Sequence, residues 1–267
     1  MSAVATTPPL LRLDEITLRF GGVVAINRIG FDLHEGELLS IIGPNGAGKS
    51  SLLNVISGVY RPQHGRISFA GRVLERVQPA RMAALGIART FQNLALFKGM
   101  SVLDNVIAGL REPTPGFLEQ LLALPAARRF AAEQQDRAEA LLEFLGLQRW
   151  RERAVGTLPY GLQKRVELAR AMAAQPRVLL LDEPMAGMNT HDKHDMARVI
   201  VELNRQFGTA VVLIEHDMGV VMDVSDRVVV LDYGRKIADD TPAAVQRNAD
   251  VIGAYLGSAG ADAPVAH

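Results

Sequence analysis

A glycine-rich run of eight residues combines the groups that a phosphate-binding turn requires. It consists of Gly43, Pro44, Asn45, Gly46, Ala47, Gly48, Lys49 and Ser50 and fits the pattern G-x-x-x-x-G-K-[ST]. The glycines let backbone N–H groups turn inward around phosphate oxygens, and a helix after the turn would point its positive end at the same anion. Lys49 would supply charge to the β- and γ-phosphates, and the Ser50 hydroxyl could ligate Mg²⁺. The run predicts a nucleoside triphosphate site; the plainer alternative is a turn that only connects strand to helix.

Two acidic residues end a second apolar segment. Val178–Leu181 is followed directly by Asp182 and Glu183. A strand buried along its length would deliver Asp182 to the carboxyl edge of a parallel sheet, where such sheets bind nucleotides. Asp182 would then hold the Mg²⁺ shell, and Glu183 would polarise the attacking water as a general base. Solvated acids at a strand end are common by themselves, but beside a phosphate loop this pair predicts nucleotide hydrolysis.

Three single residues carry weaker signals. Gln92 could contact Mg²⁺ and water, His216 follows the apolar run Ala210–Ile214, and Phe20 could stack on adenine. Taken alone, each has a commoner interpretation: a surface glutamine, a structural histidine and a core aromatic residue. Their order along the chain, rather than any one of them, makes them candidates for the site.

The elements that must position these residues alternate between strand and helix. Leu38–Ile42 is a continuous apolar run that predicts a strand buried on both faces, and Ser50–Val59 predicts the helix after the turn. The later elements are strands at Val178–Leu181, Ala210–Ile214 and Arg227–Leu231, and a helix at Asp192–Phe207 with Gly208 as its C-terminal cap. This alternation predicts a parallel sheet with helices on its faces.

The segments around this alternation differ in character. Residues 11–20 roughly alternate between apolar and polar, which predicts a half-buried strand, and shorter strands are predicted at Phe31–Leu33 and Gly65–Phe69. The residues from Ser101 to about Gln175 favour helix, and the predicted helices are Val102–Gly109, Ala126–Leu145 and Gly161–Gln175. The proline-rich segment Pro113–Pro125 predicts a loop between the first two.

Composition narrows the class of protein. The 267 residues contain 29 basic and 29 acidic side chains, so the basic excess of a nucleic-acid-binding domain is missing, and we expect no nucleic-acid partner. There is no cysteine, which is compatible with a reducing compartment. The N-terminus lacks the pattern of a signal peptide, and the apolar runs are far shorter than the roughly 20 residues that span a bilayer.

The order of these motifs resembles the ABC ATPase family over about residues 9–257. The resemblance implies an α/β fold: a P-loop NTPase (RecA-like) core with a mostly parallel sheet, an N-terminal antiparallel β part and an inserted α-helical subdomain. The implied core covers about residues 9–92 and 161–257, the helical subdomain about 93–160, and residues 1–8 and 258–267 are loose tails. The implied activity is ATP hydrolysis coupled to transport, with ATP and Mg²⁺ as the bound groups.

The resemblance also assigns roles to single residues. Phe20 matches the adenine-stacking aromatic residue, and His216 matches the switch histidine. Gln92 matches the residue that links the nucleotide and its metal to the membrane subunits. Ser51 continues the phosphate loop among the ATP-binding residues.

Two further stretches match segments that face a second ATPase subunit. One is the signature, here containing Pro159, Tyr160 and Gly161, and the other is the loop Met185–Asn189, which ends at Asn189. Pro159 stands where the family has serine, and Leu162 where it has glutamine. Because the serine hydroxyl is missing, we expect the ATP site completed by this chain's signature to be weaker than one completed by a serine-bearing partner.

Several stretches are similar to the larger ATPase of branched-chain amino-acid uptake systems, among them residues 19–25, 89–93, 100–106, 215–218 and 251–257. That resemblance implies a heterodimer with a smaller relative (a homodimer is the alternative) on two transmembrane permease subunits, fed indirectly by a periplasmic solute-binding protein. It places the chain in the cytoplasm, peripheral on the inner face of the plasma membrane. Importers of urea, amides or aromatic acids, a non-transport ABC ATPase, and a P-loop kinase or GTPase are the alternatives.

Overall fold

A computed structural model describes residues 8–75, 77–90, 94–111 and 125–259 of the chain. Its strands are β1 (Leu11–Phe20), β2 (Val23–Leu33), β3 (Leu38–Ile42), β4 (His64–Phe69), β5 (Arg72–Val73), β6 (Ile87–Arg89), β7 (Val178–Asp182), β8 (Ala210–Ile214), β9 (Arg227–Asp232) and β10 (Arg235–Asp240). They form a four-stranded antiparallel sheet in the order β2-β1-β4-β5 and a six-stranded sheet in the order β10-β9-β3-β8-β7-β6.

The helices lie between and after these strands. They are α1 (Lys49–Ile56), α2 (Pro79–Ala84), α3 (Val102–Ile107), α4 (Pro125–Phe144), α5 (Tyr160–Ala173), α6 (Thr190–Phe207), α7 (Met218–Val224), α8 (Pro242–Val245) and α9 (Ala249–Ala259), with short 3₁₀ turns at Gln148–Trp150 and Val155–Thr157. No helix within the described residues is both long and apolar enough to span a membrane.

The predicted α/β core and antiparallel N-terminal part are confirmed. In the six-stranded sheet, β3 pairs in parallel with both β8 and β9, and β7 pairs in parallel with β8 and β6; β10 is antiparallel at the edge. All five residues of β3, β7 and β8 are buried, which explains their uninterrupted apolar sequences. The carboxyl ends of these three strands therefore meet at one edge of the sheet.

The two faces of the central sheet cover separate hydrophobic clusters. Leu180 and Val212 face a cluster shared with the antiparallel sheet and α1, whereas Leu179, Leu181 and Val211 face a cluster shared with α3 to α6. This division follows from the alternation of side chains along a strand. Each fully buried leucine stabilises the fold by about 1.5–3 kcal/mol, so both layers hold the sheet in place.

Several predicted boundaries were wrong, for local reasons. The short strand predicted at Phe31–Leu33 is the end of the longer β2. The helix predicted to reach Val59 ends at Ile56, because Gly58 takes a left-handed φ of 79° two residues after it. Helix α9 continues to Ala259. The segments 112–124 and 260–267, which include most of the predicted loop and tail, lie outside the described residues.

Candidate functional site

The phosphate loop connects the central strand β3 to α1. Gly48 precedes the helix with a left-handed φ of 101°, and a Cβ there would lie 2.6 Å from the carbonyl oxygen of Ala25. A Cβ on Gly43 would lie only 2.1 Å from the carbonyl oxygen of Leu231. Both positions therefore need glycine, because a side chain would collide with neighbouring backbone. The glycines that suggest phosphate binding also let the loop fit against the strands around it.

Lys49 is folded back across this loop. Its Nζ donates to the carbonyl oxygens of Gly43, at 2.7 Å, and of Pro44, at 3.0 Å. Burial lowers the pKa of Lys49, and the nearby carboxylates of Glu183 and Asp182 oppose that shift. The ammonium group is thus held next to the loop by weak neutral acceptors, which an anion could replace.

Asp182 ends β7 close to the loop and is almost fully buried. Its Oδ2 accepts a hydrogen bond from Arg89 Nη2 at 2.9 Å, whereas its Oδ1 is buried and has no hydrogen-bond partner. A buried carboxylate oxygen without a partner is costly unless something else binds it. The prediction placed Asp182 in the metal shell, and this free oxygen is the observation that fits a hard cation there.

Mg²⁺ suits the donors that the chain offers. It prefers oxygen ligands and is usually held by one or two carboxylates together with waters and substrate phosphates. Asp182 would supply the carboxylate, and Ser50, in the first turn of α1, would supply the hydroxyl. Among the described residues there is no cluster of three metal-binding acidic, histidine or cysteine side chains, so a metal would depend on the phosphates for its other ligands. Gln92, the third predicted ligand, lies outside the described residues.

Glu183 and His216 are in direct contact. They follow the adjacent parallel strands β7 and β8, and His216 Nε2 lies 2.7 Å from Glu183 Oε1. The Glu183 side chain is 16% exposed and that of His216 is 47% exposed, so the pair faces solvent on one side only. Glu183 has a left-handed φ of 49°, which is strained for a residue with a side chain and is found at functional sites.

A cavity of about 440 Å³ brings these groups together. The predicted residues in its wall are Asn45, Gly46, Ala47, Gly48, Lys49, Ser50, Ser51, Glu183 and His216. Its other lining residues, which sequence reasoning missed, are Val23, Val24, Ala25, Tyr233 and Gly234. The first three begin β2, and the other two form the β9–β10 turn. Gly234 N–H donates to the carbonyl oxygen of Ala47 at 3.0 Å. Gly234, directly after the apolar run Val228–Leu231 and Asp232-Tyr233, was the signal in the sequence that a turn could lie here.

Phe20 lies at the end of β1 and does not line this cavity. Its ring is 47% exposed and packs edge-on against Tyr60, with ring centroids 5.1 Å apart. The turn that follows Phe20 leads to Val23, which does line the cavity. The structure therefore does not bring the Phe20 side chain into the wall of this cavity.

The signature and the loop Met185–Asn189 lie side by side. Pro159 is the N-cap of α5 and makes no side-chain hydrogen bond there. Tyr160 is 42% exposed, and a Cβ on Gly187 would lie 3.6 Å from its ring. Asn189 caps α6: its Oδ1 accepts from the Asp192 N–H at 2.9 Å, and its Nδ2 donates to Asp192 Oδ2 at 2.9 Å.

Two further functional candidates, Arg89 and Glu215, were not predicted from the sequence to be site residues. Arg89 holds Asp182 and also donates to Asn54 Oδ1 at 2.6 Å and Ser57 Oγ at 3.0 Å. Glu215, directly before His216, is only 5% exposed, and burial raises its pKa. Both act through contacts with residues that are distant along the chain, so no local pattern could have found them.

Comparison with known proteins agrees with this geometry. The model of the family described as ABC transporter matches residues 26–186, and that of the family described as branched-chain amino acid ATP-binding cassette transporter matches residues 235–261. The high-affinity branched-chain amino acid transport ATP-binding protein LivG of Salmonella typhimurium is 42% identical over 252 residues, which are 94% of this chain and 99% of that protein. LivG of Escherichia coli K12 and BraF of Pseudomonas aeruginosa are each 41% identical over the same shares of the two chains.

Solved structures show the same architecture. A nucleotide-free ATP-binding cassette from an ABC transporter superposes with a TM-score of 0.80 at 32% identity, covering 92% of this chain and 98% of that one. The ADP conformation of an ATP-binding cassette of an ABC transporter gives a TM-score of 0.81 at 31% identity, covering 94% and 100%.

Proposed function

Because the chain belongs to the ABC transporter family, we propose that it is the ATP-hydrolysing subunit of an importer for branched-chain amino acids. The observation that carries the hydrolytic part is the 2.7 Å contact between Glu183 and His216 in the wall of the phosphate-loop cavity. The solute rests on the names of the relatives and on the family match at residues 235–261.

In this proposal the cavity binds the triphosphate of ATP. The backbone N–H groups of the loop and the N-terminal end of α1 surround the phosphates, and Lys49 exchanges its carbonyl partners for phosphate oxygens. Phe20, which is partly exposed three residues before Val23 of the cavity wall, would stack on the adenine. Ser50, Asp182 and Gln92 would hold Mg²⁺, which would neutralise part of the phosphate charge when bound.

Glu183 and His216 would divide the work of hydrolysis. Glu183 accepts a proton from the water that attacks the terminal phosphate, and its partly buried position keeps it close to that water. His216 holds the Glu183 carboxylate by hydrogen bond and presents its own ring to the phosphate side. The strained backbone of Glu183 fits this assignment, because strain persists where a side chain must be held in one orientation.

We also propose the assembly in which these residues act. Residues 9–257 form one ATPase domain, with the core near 9–92 and 161–257 and a helical subdomain near 93–160. Pro159, Tyr160, Gly161 and Asn189 face a second ATPase subunit, which is a smaller relative of this chain. The pair binds two transmembrane permease subunits from the cytoplasmic side of the membrane, and a periplasmic solute-binding protein delivers the amino acid to those permeases.

The hydrolytic role is tested by measuring ATP hydrolysis of the purified chain, alone and mixed with the smaller partner. We expect slow hydrolysis alone, faster hydrolysis with the partner, and loss of about 100-fold or more in Glu183→Gln. The matched control is Glu152→Gln, which removes the same charge from a side chain that is 74% exposed and does not line the phosphate-loop cavity. Equal activity in the two variants would rule out Glu183 as the general base.

The solute is tested separately in cells that lack their own branched-chain amino-acid importer. Expression of the complete transporter should restore uptake of radiolabelled leucine, and the Glu183→Gln transporter should not. Uptake of urea, an amide or an aromatic acid in place of leucine would refute the solute assignment and leave the ATPase assignment intact.

A further inference from the structure

Glu215 is a buried acid directly beside the hydrolytic pair. Its side chain lies at the end of β8, and the residue is 5% exposed. Glu215 Oε1 accepts a hydrogen bond from the backbone N–H of Met185 at 2.7 Å, and Oε2 accepts one from the N–H of His216 at 3.3 Å. The first bond joins two segments that are thirty residues apart along the chain.

The segment after β7 is tied to the end of β8 and the two residues that follow it by three contacts. Glu183 N–H donates to the carbonyl oxygen of Ile214 at 3.0 Å, the Glu183 carboxylate contacts His216 Nε2 at 2.7 Å, and Met185 N–H donates to Glu215. The first is a continuation of the sheet, and the second involves the reacting pair itself. Only the third is a side-chain anchor on the backbone beyond Glu183.

An anchor is needed at this point because the backbone turns sharply. Glu183 has a left-handed φ of 49°, and the turn is closed by a hydrogen bond from Ala186 N–H to the carbonyl oxygen of Glu183 at 3.2 Å. A non-glycine residue keeps such a conformation only where its surroundings enforce it. The loop Met185–Asn189, which we assign to the subunit interface, leaves from this same turn.

We propose that Glu215 is a positioning residue for ATP hydrolysis, which fixes the turn at Met185 and thereby holds the Glu183 carboxylate against His216. Through the same bond it sets the direction in which the loop Met185–Asn189 leaves the sheet. The inference rests on the proposed ATPase function and adds a residue to it. Glu215 would thus connect the pair Glu183 and His216 to the loop Met185–Asn189.

The chemistry of the contacts explains why an acid occupies this position. Both partners of Glu215 are N–H donors, so both of its oxygens must accept. A glutamine of the same shape would place its NH₂ group against one of the two N–H donors, and alanine would leave both donors unsatisfied. Burial raises the pKa of Glu215, whereas its hydrogen bonds from the Met185 and His216 N–H groups oppose that shift by stabilising the carboxylate.

The simpler interpretation is that Glu215 is a buried polar group that only stabilises the fold. Asn204 provides the matched control, because it is also buried and its side chain donates two hydrogen bonds, to the carbonyl oxygens of Gly36 at 2.8 Å and Thr209 at 2.9 Å. These contacts lie at the opposite end of β8 from Glu215. Removing either side chain should lower stability, but only Glu215 should change hydrolysis.

The experiment compares Glu215→Gln, Glu215→Ala and Asn204→Ala in the ATPase complex with the wild type. For Glu215→Gln we expect kcat to fall about tenfold, with the affinity for ATP changed less than about twofold, and a larger fall for Glu215→Ala. Asn204→Ala should lower Tm and keep kcat within about twofold of the wild type. Hydrogen exchange at the Met185 amide, followed by NMR, should accelerate in both Glu215 variants and stay unchanged in Asn204→Ala.

Several results would overturn the inference. Wild-type kcat in Glu215→Gln, with faster exchange at Met185, would show that the anchor is only structural. Parallel losses of kcat and ATP affinity would place Glu215 in nucleotide binding instead. If Glu215→Ala does not fold, Glu215→Gln alone decides, since it keeps the volume of the side chain. A wild-type complex without ATPase activity would instead refute the proposed function, and the inference with it.

Discussion

Replacing Arg89 by methionine removes a guanidinium group that joins three side chains behind the phosphate loop. The hydrogen bonds lost go to Asp182 Oδ2 at 2.9 Å, Asn54 Oδ1 at 2.6 Å and Ser57 Oγ at 3.0 Å. The side chains of Arg89 and Asp182 are only 10% and 5% exposed. Methionine keeps much of the length of the side chain and none of its charge, so the change isolates the electrostatic loss.

The size of the effect follows from burial. After the substitution the Asp182 carboxylate remains buried, and one of its oxygens already lacks a hydrogen-bond partner. Breaking a buried ion pair by removing one partner costs about 3–5 kcal/mol, because water cannot reach the charge left behind. The free energy of unfolding of a typical domain is only about 5–15 kcal/mol, so Arg89→Met should lower the midpoint of urea unfolding strongly.

The control is Arg12→Met, which breaks a pair with better geometry and less burial. Arg12 donates two hydrogen bonds of 2.7 Å to Asp32, but these side chains are 54% and 32% exposed. Water can replace the lost contacts there, so we expect a much smaller loss of stability than in Arg89→Met. If only the number and length of the hydrogen bonds to the acid mattered, Arg12→Met would lose more stability than Arg89→Met.

The assay is urea unfolding at neutral pH, followed by circular dichroism, with the midpoint and the slope fitted together. A double variant, Arg89→Met with Asp182→Asn, should lose less than the sum of the two single variants, since it removes the unpaired charge as well. A loss of stability in Arg89→Met that is no larger than in Arg12→Met would contradict this prediction. So would a double variant whose loss equals the sum of the losses in Arg89→Met and Asp182→Asn.

Four further predictions concern other parts of the molecule. Lys49→Ala should weaken binding of a fluorescent ATP analogue by about 10- to 150-fold, because charged hydrogen bonds contribute about 1.5–3 kcal/mol; unchanged binding would remove Lys49 from the site. Gly43→Ala should lower Tm by several degrees, since overpacking costs about 1–3 kcal/mol or more, whereas Gly22→Ala, with no atom within 4 Å of its added Cβ, should not. Pro159→Ser should raise the ATPase rate of the assembled complex and, by supplying an N-cap acceptor, stabilise its helix by about 0.5–2 kcal/mol; no rise in rate would contradict the predicted weak signature. Because the pKa of Glu215 is raised above 4.5 in the folded protein, the free energy of unfolding of the wild type relative to Glu215→Gln should fall as pH rises from below 4.5 towards neutral. Urea unfolding across this pH range measures the difference between the two proteins. A difference that stays constant or grows with pH would contradict the prediction.

The sequence predicted best where a short segment determines its own structure. Leu38–Ile42 and Val178–Leu181 are uninterrupted apolar runs, and each is a strand buried on both faces of the sheet. The strand–turn–helix around the phosphate loop was predicted for the same reason, since its glycines and its flanking elements are contiguous. The α/β core followed from the alternation of strands and helices, the antiparallel β part followed from the resemblance to a known family, and both were confirmed.

The prediction failed where the sequence carries conflicting or no local signals. Arg235–Asp240 forms β10 although four of its six residues are charged, which is typical of a sheet edge that must not pair further. Helix α6 begins at Thr190, two residues before the predicted start at Asp192, because the Asn189 side chain caps it. Arg89 and Glu215 were missed because their partners are distant along the chain, and tertiary contacts leave no periodicity to detect.

The position of β3 in the middle of the sheet also has a consequence for how the chain must fold. Ser40 pairs with Leu213 on one side and with Val228 on the other, so both neighbours of β3 are synthesised about 170 to 190 residues later. During translation this strongly apolar strand is therefore complete long before either partner leaves the ribosome. Non-local parallel pairing of this kind is slow and exposes apolar surface to aggregation. The ATP site therefore cannot assemble before β8 and β9 have been synthesised, and we expect β3 to need shielding by chaperones until then.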